Sequence, residues 1–165
     1  MKHTISVLVE NHSGVLSRIS GLFSRRGFNI ESLAVGPTHD PEISRITIVA
    51  DGDDHTVEQI EKQLNKLVEV IKVKTFERGD YLARELMIVK IAVGADKRSE
   101  VMTIADITDA KVMDITLTTM TLCICDKYDH LCRFEEVIAP YGIIEMVRTG
   151  TIAIEKGADV FSAKK

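Results

Sequence analysis

The apolar pattern of this 165-residue chain runs strand, helix, strand, strand, helix, strand, and then starts the same order again, which leaves few topologies open to it. In the first pass, His3 to Glu10 reads as a strand. Val15, Ile19, Leu22 and Phe23 then recur at helical spacing up to Arg26, where Gly27 predicts a left-handed stop. Ile30 to Thr38 and Ile43 to Asp51 predict strands flanking the polar, proline-bearing turn His39-Asp40-Pro41-Glu42. Val57, Ile60, Leu64 and Leu67 predict a second helix, with Glu58 and Lys62 spaced for a supporting ion pair. Val70 to Glu77 closes the pass as a fourth strand.

Arg78-Gly79-Asp80-Tyr81 reads as a short polar joint, and the cycle begins again with a strand over Glu85 to Val93. Val101, Ile104, Ala105 and Thr108 predict a helix, and Lys111 to Thr116 with Met120 to Cys125 a strand pair. Leu131, Phe134, Val137 and Ile138 predict another helix, stopped by Pro140 and Gly142, before a strand over Ile143 to Thr149. Thr151 to Ile154 offers one further strand, and Gly157 to Lys165 reads as a frayed end. Right-handed crossovers put both helices of each pass on the same side of its sheet. The fold class is therefore α+β, with two ferredoxin-like βαββαβ domains over residues 1–78 and 79–165, each an antiparallel sheet with helices on one face. Each sheet keeps a bare face and free edges, and an unprotected edge is a template for a second copy, so a homodimer is expected.

Composition narrows the function. Hydrophobic residues make up 45% of the chain, and its net charge is −4 with Lys and Arg dispersed, so no basic stripe invites nucleic acid. No apolar run reaches the roughly 20 residues of a membrane span, and the first residues lack a leader-like apolar stretch, so no membrane contact and a cytoplasmic location are expected. Cys123, Cys125 and Cys132, odd in number, predict reduced and buried thiols; with His130 they lack the spacing of a zinc site. Asp51-Gly52-Asp53-Asp54 reads as a helix-capping turn and not a calcium loop. No metal site is expected, and neither a catalytic triad nor a nucleophile elbow is evident.

The segment with the most chemistry joins the first strand to the first helix, through Asn11-His12-Ser13-Gly14 into Val15-Leu16. Amides at a helix N-terminus lack intrahelical partners and carry partial positive charge, which suits a carboxylate or phosphate. Gly14 lets a ligand approach the main chain, and Asn11 offers a donor and an acceptor. Asn29 and nearby strand carbonyls could accept from an ammonium, while Val15, Leu16, Ile30 or Val35 could line an apolar recess. A plain strand-to-helix connection with Ser13 as N-cap is the competing interpretation of the loop, and a turn residue after Gly27 that of Asn29.

Ser6 to Arg18 resembles the opening of an ACT domain, a regulatory amino-acid-binding module. Gly21 to Leu33 and Ile60 to Val68 are similar to the small regulatory subunit of acetohydroxyacid synthase (acetolactate synthase), and Glu85 to Lys90 and Tyr141 to Gly150 resemble its C-terminal domain. The resemblance implies a non-catalytic chain, with no catalytic residues or cofactor of its own, that binds valine or a related branched-chain amino acid between two ACT domains. It implies feedback inhibition of a separate large catalytic subunit, to which thiamine diphosphate, Mg and FAD would belong. Carried over by position, Asn11, His12, Ser13, Gly14, Val15 and Leu16 would hold the effector carboxylate, and Asn29 and Ile30 of a second copy would meet its ammonium and side chain. The alternative is a free-standing ACT-type sensor or a small ferredoxin-like enzyme. His12 and Ser13 depart from the family's more usual acidic residue followed by Pro or Ser, and the stretch around Cys123 to Cys132 matches no family motif.

Overall fold

A computed structural model describes residues 2–77 and 79–163 of the chain, so Arg78 of the expected joint lies outside the described residues. The first pass forms β1 (Lys2–Glu10), α1 (Val15–Arg26), β2 (Ile30–Pro37), β3 (Ile43–Asp51), α2 (Asp54–Leu64) and β4 (Val70–Phe76). The second forms β5 (Tyr81–Ala92), α3 (Arg98–Thr108), β6 (Lys111–Ile115), β7 (Thr119–Asp126), α4 (Tyr128–Ile138) and β8 (Ile143–Arg148), and β9 (Ile152–Glu155) follows. The chain divides into two compact units, Met1–Leu82 with Thr151–Lys165, and Ala83–Gly150.

Both units carry the strand order the repeat requires: β2-β3-β1-β4 in the first and β6-β7-β5-β8 in the second, with β9 paired to β5. In the first unit Ile5, Val7 and Val9 of β1 meet Ile46, Ile48 and Ala50 of β3 under one layer of helix residues that includes Ile19, Phe23, Val57, Ile60 and Leu64. The second unit repeats this with Met87, Val89 and Ile91 of β5 and Met120, Leu122 and Ile124 of β7 beneath Val101, Ala105, Leu131, Phe134 and Ile138. Removing such alternating apolar rows from water is the main drive for folding each unit.

Local chemistry sets the helix ends. Gly27 ends α1 at φ 70°, donating back to Phe23 and Ser24 carbonyls, and the Asp53 side chain caps α2 by accepting from the Thr56 amide at 2.8 Å. The Glu58–Lys62 pair forms at 2.7 Å. Three expectations are corrected. Helix α2 stops at Leu64, leaving Leu67 in the following turn. Strand β5 begins at Tyr81, whose ring stacks on Phe76 at 5.1 Å and whose hydroxyl hydrogen-bonds to Thr4, so the joint is shorter than its polarity implied. Val137 is exposed, because Leu131, Phe134 and Ile138 alone fill the buried stripe of α4.

The stretch expected to fray is anchored at Phe161, with Lys164 and Lys165 outside the described residues, and the first sheet is not bare. Ser6, Leu8 and Thr47 point away from the helices, yet all three are buried. The Thr151 amide donates to Ser32 Oγ of β2, Glu155 pairs with Lys74 of β4, and Phe161 sits buried with Arg45 and Lys72 each about 5 Å from its ring centroid. Arg45 and Lys72 flank Leu8 in the register, so the ring closes over that row. Burial holds the Arg45 guanidinium below the ordinary arginine range, partly offset by Glu155. Phe161→Ala is expected to destabilise the first unit by about 3–5 kcal/mol, read from urea unfolding with hydrogen exchange at Leu8 and Thr47; an unchanged midpoint and unchanged exchange would mean that the tail does not cover this face.

Candidate functional site

The loop between β1 and α1 places Asn11, His12, Ser13 and Gly14 together on the surface. Gly14, and not Ser13, is the N-cap of α1; its φ of 92° is a left-handed geometry that costs a residue with a Cβ, and no side chain caps the helix. The first turn carries no acidic residue either. The amides of Val15, Leu16 and Ser17 thus open a twelve-residue helix with neither a cap nor a competing carboxylate, the arrangement that attracts an anion. Val15's side chain is buried in the core, so only its backbone serves the site, whereas Leu16 is partly exposed beside it.

Asn11 is tied inward. Its amide donates to the Glu42 carbonyl at 2.8 Å, its Nδ2 donates to the Pro41 carbonyl at 2.7 Å, and its Oδ1 accepts from Ser44 Oγ at 2.9 Å. These bonds pin the loop to the β2–β3 turn and leave one side-chain N–H for a ligand. A second tie comes from Glu69: its carbonyl accepts from the Glu10 amide at 3.0 Å, and its buried carboxylate pairs with Arg18 on α1. Neither Ser44 nor Glu69 stood out in the sequence, since nothing local links Ser44 to Asn11, and Glu69 sits between Val68 and Val70 as an ordinary polar interruption.

His12 faces two acceptors. Its Nδ1 lies 3.1 Å from the Ser13 carbonyl and its Nε2 3.0 Å from Glu10 Oε2, and only the doubly protonated ring can donate to both. The Ser13 carbonyl first, and Glu10 second, raise its pKa above the ordinary histidine value. Because the folded value is raised, the stabilisation this pair gives is fully present below the unfolded-state pKa and is lost as pH rises through the folded one.

Asn29 and Ile30 stand elsewhere. Strands β1 and β2 run parallel, each antiparallel to β3; Ile30 lies opposite Ala50, whereas Pro37 lies opposite Ser44 and Glu10 opposite Ile43. Within one chain the two groups of candidate residues therefore sit at opposite ends of the sheet, separated by about 23 Å of strand. Asn29 is exposed and Ile30 half-buried at that far end. A depression of about 390 Å³ lined by His3, Asp54, Glu61, Phe76 and Tyr81 also opens away from the loop. Among the described residues no cluster of three or more His, Cys, Asp or Glu could hold a metal ion, and no helix is long and apolar enough to cross a membrane. The three cysteines are free, and contrary to expectation Cys125 is exposed and the other two are only partly covered.

A ferredoxin-like sheet with an uncapped helix opening at a left-handed glycine is thus followed by a second unit of the same strand order. Residues 5–72 match the profile of the AHAS small subunit-like ACT domain, and residues 84–157 that of the small subunit of acetolactate synthase. The chain is 42% identical to the acetolactate synthase small subunit of Mycolicibacterium smegmatis, over 99% of this chain and 96% of that one. It is 43% identical to the acetolactate synthase isozyme 3 small subunit of Salmonella typhimurium, over 95% and 97%. The crystal structure of the small subunit from Thermotoga maritima superposes with a TM-score of 0.89 at 34% identity, covering 96% of this chain and 99% of that one. The chain belongs to the acetolactate synthase small subunit family, and is a regulatory subunit with an ACT domain.

In an NMR titration His12 is expected to change charge above the ordinary histidine midpoint, and Glu10→Gln to bring it down. A midpoint that ignores Glu10 would remove the two-acceptor account of this ring.

Proposed function

We propose that the chain binds valine, or a related branched-chain amino acid, where two ACT units meet, and thereby imposes feedback inhibition on a separate acetolactate synthase catalytic subunit. The observation that carries this reading is the uncapped start of α1 at Gly14, beside a loop fixed by Asn11. The effector carboxylate rests on the amides that follow Gly14. The rest of the pocket comes from a second copy: pairing two β2 edges antiparallel about a two-fold axis carries the Asn29–Ile30 end of one strand toward the Pro37 end of the other, and so toward the second copy's loop. Asn29 then offers its side-chain oxygen to the ammonium, and Ile30 with the exposed Leu16 and Val35 supplies apolar surface. Such a recess separates aliphatic effectors weakly, because one methylene is worth only about 1–3 kcal/mol.

Thiamine diphosphate, Mg and FAD belong to the catalytic partner in this reading, and the assembly works in the cytoplasm. The chain carries out no turnover of its own. Valine acts by binding the inhibited state of the complex more tightly, and an effect of about 5- to 150-fold on the partner corresponds to a coupling of about 1–3 kcal/mol.

Gly14 gives the decisive test because Asp and Asn both tolerate its left-handed backbone while only Asp adds charge. With the reconstituted catalytic subunit, Gly14→Asp is expected to abolish valine inhibition while activation of the partner is retained, and Gly14→Asn to keep a measurable response. Equal inhibition in wild type and Gly14→Asp would place the effector elsewhere.

A further inference from the structure

The second unit ends its sheet on an edge of unusual character. Strand β6 has β7 on one side and, among the described residues, no strand on the other, and all five of its residues are exposed. Edge strands are normally blunted by proline or repeated charge, since alternate N–H and C=O groups point outward and invite another strand. Here Val112, Met113 and Ile115 are apolar, with Met113 61% and Ile115 52% exposed, and Ile107 on the adjoining α3 is 79% exposed.

Its two charges are arranged in a way that selects a partner. Lys111 lies opposite Cys123 and Asp114 opposite Thr121, while Val112 and Ile115 lie opposite Leu122 and Met120 of the core. Residues three apart in a regular strand face opposite ways; the register shift between Val112 and Asp114 puts Lys111 and Asp114 on the same face of the sheet, the one away from the helices. Neither side chain has a hydrogen-bond or ion-pair partner among the described residues. Reversing the strand about a point between residues 112 and 113 sets Lys111 against Asp114 and Val112 against Met113, so the segment is its own complement in both charge and apolarity.

We propose that β6 is a self-recognition edge, pairing antiparallel with β6 of a second copy of this chain through two symmetric Lys111–Asp114 pairs. The second unit thereby contributes to subunit association on its own account, independently of the effector site and of the β2 edge. An isologous contact of this kind uses the same strand on both copies and buries the exposed backbone of both at once.

Sedimentation velocity of the full chain across a concentration series tests this with Lys111→Asp, Asp114→Lys and the double variant. Each single change places like charges opposite one another and is expected to weaken association about tenfold; the double change restores opposite charges and is expected to recover it. Circular dichroism verifies that these exposed substitutions leave the fold intact. Singles that associate like wild type, a double variant that does not recover, or a wild-type chain that sediments as a monomer throughout would each overturn the proposal. Valine inhibition is measured on the same variants: loss of response at Gly14→Asp with no effect of the β6 changes separates the two sites.

Discussion

Strand β1 is the member on which the first unit depends. It lies between β3 and β4 and pairs with β3 from Lys2 to Glu10 and with β4 from Thr4 to Val9, so its far end cannot move without breaking ladders on both sides. The loop at that end inherits the constraint. Asn11 is held by the turn between β2 and β3, and the Glu10 amide by Glu69 just before β4, so the helix that opens at Gly14 starts from a fixed point. An anion site built from backbone amides has value only when the amides are already aimed, because no side chain can swing in to correct them. The buried Glu69 carboxylate, joined to Arg18 one turn into the helix, fixes the direction of α1 as well as its origin.

The same constraint explains why one copy holds only half of the proposed pocket. Parallel β1 and β2 put the start of β2 at the end of the sheet remote from the loop, and no side-chain rearrangement spans that separation. A two-fold relation between edges resolves it without changing either unit, which is the structural reason for an effector in this reading to be tied to association. Where the chain joins its catalytic partner is not a matter of that geometry.

Much of the fold was legible in the sequence because its signals are local. Gly27 and Asp53 mark helix ends through geometry confined to a few residues, and the alternation of Ile5, Val7 and Val9 declares which side of β1 is buried. The order of elements did the rest. What escaped notice was long-range: Ser44 gains meaning only through Asn11, Tyr81 through Phe76 and Thr4, and Phe161 through Arg45 and Lys72 on two strands far earlier in the chain. Cys123 and Cys125 share one side of β7, but that side is the one away from the helices, so Cys125 is exposed. Loop residues Asn11 to Gly14 were found as a group; that Asn11 spends most of its capacity bracing the loop was invisible without its partners.

The lid over Leu8 has a bearing on how the protein is made. Phe161 lies outside both stretches matched by the family profiles, yet it covers a row of β1, a strand synthesised long before it. N-terminal elements generally organise during synthesis, at about 5–20 residues per second. This sheet must therefore wait, with one oily surface wet, until Phe161 has been made and its final cover arrives; the nascent unit is open to chaperones and to aggregation throughout that interval.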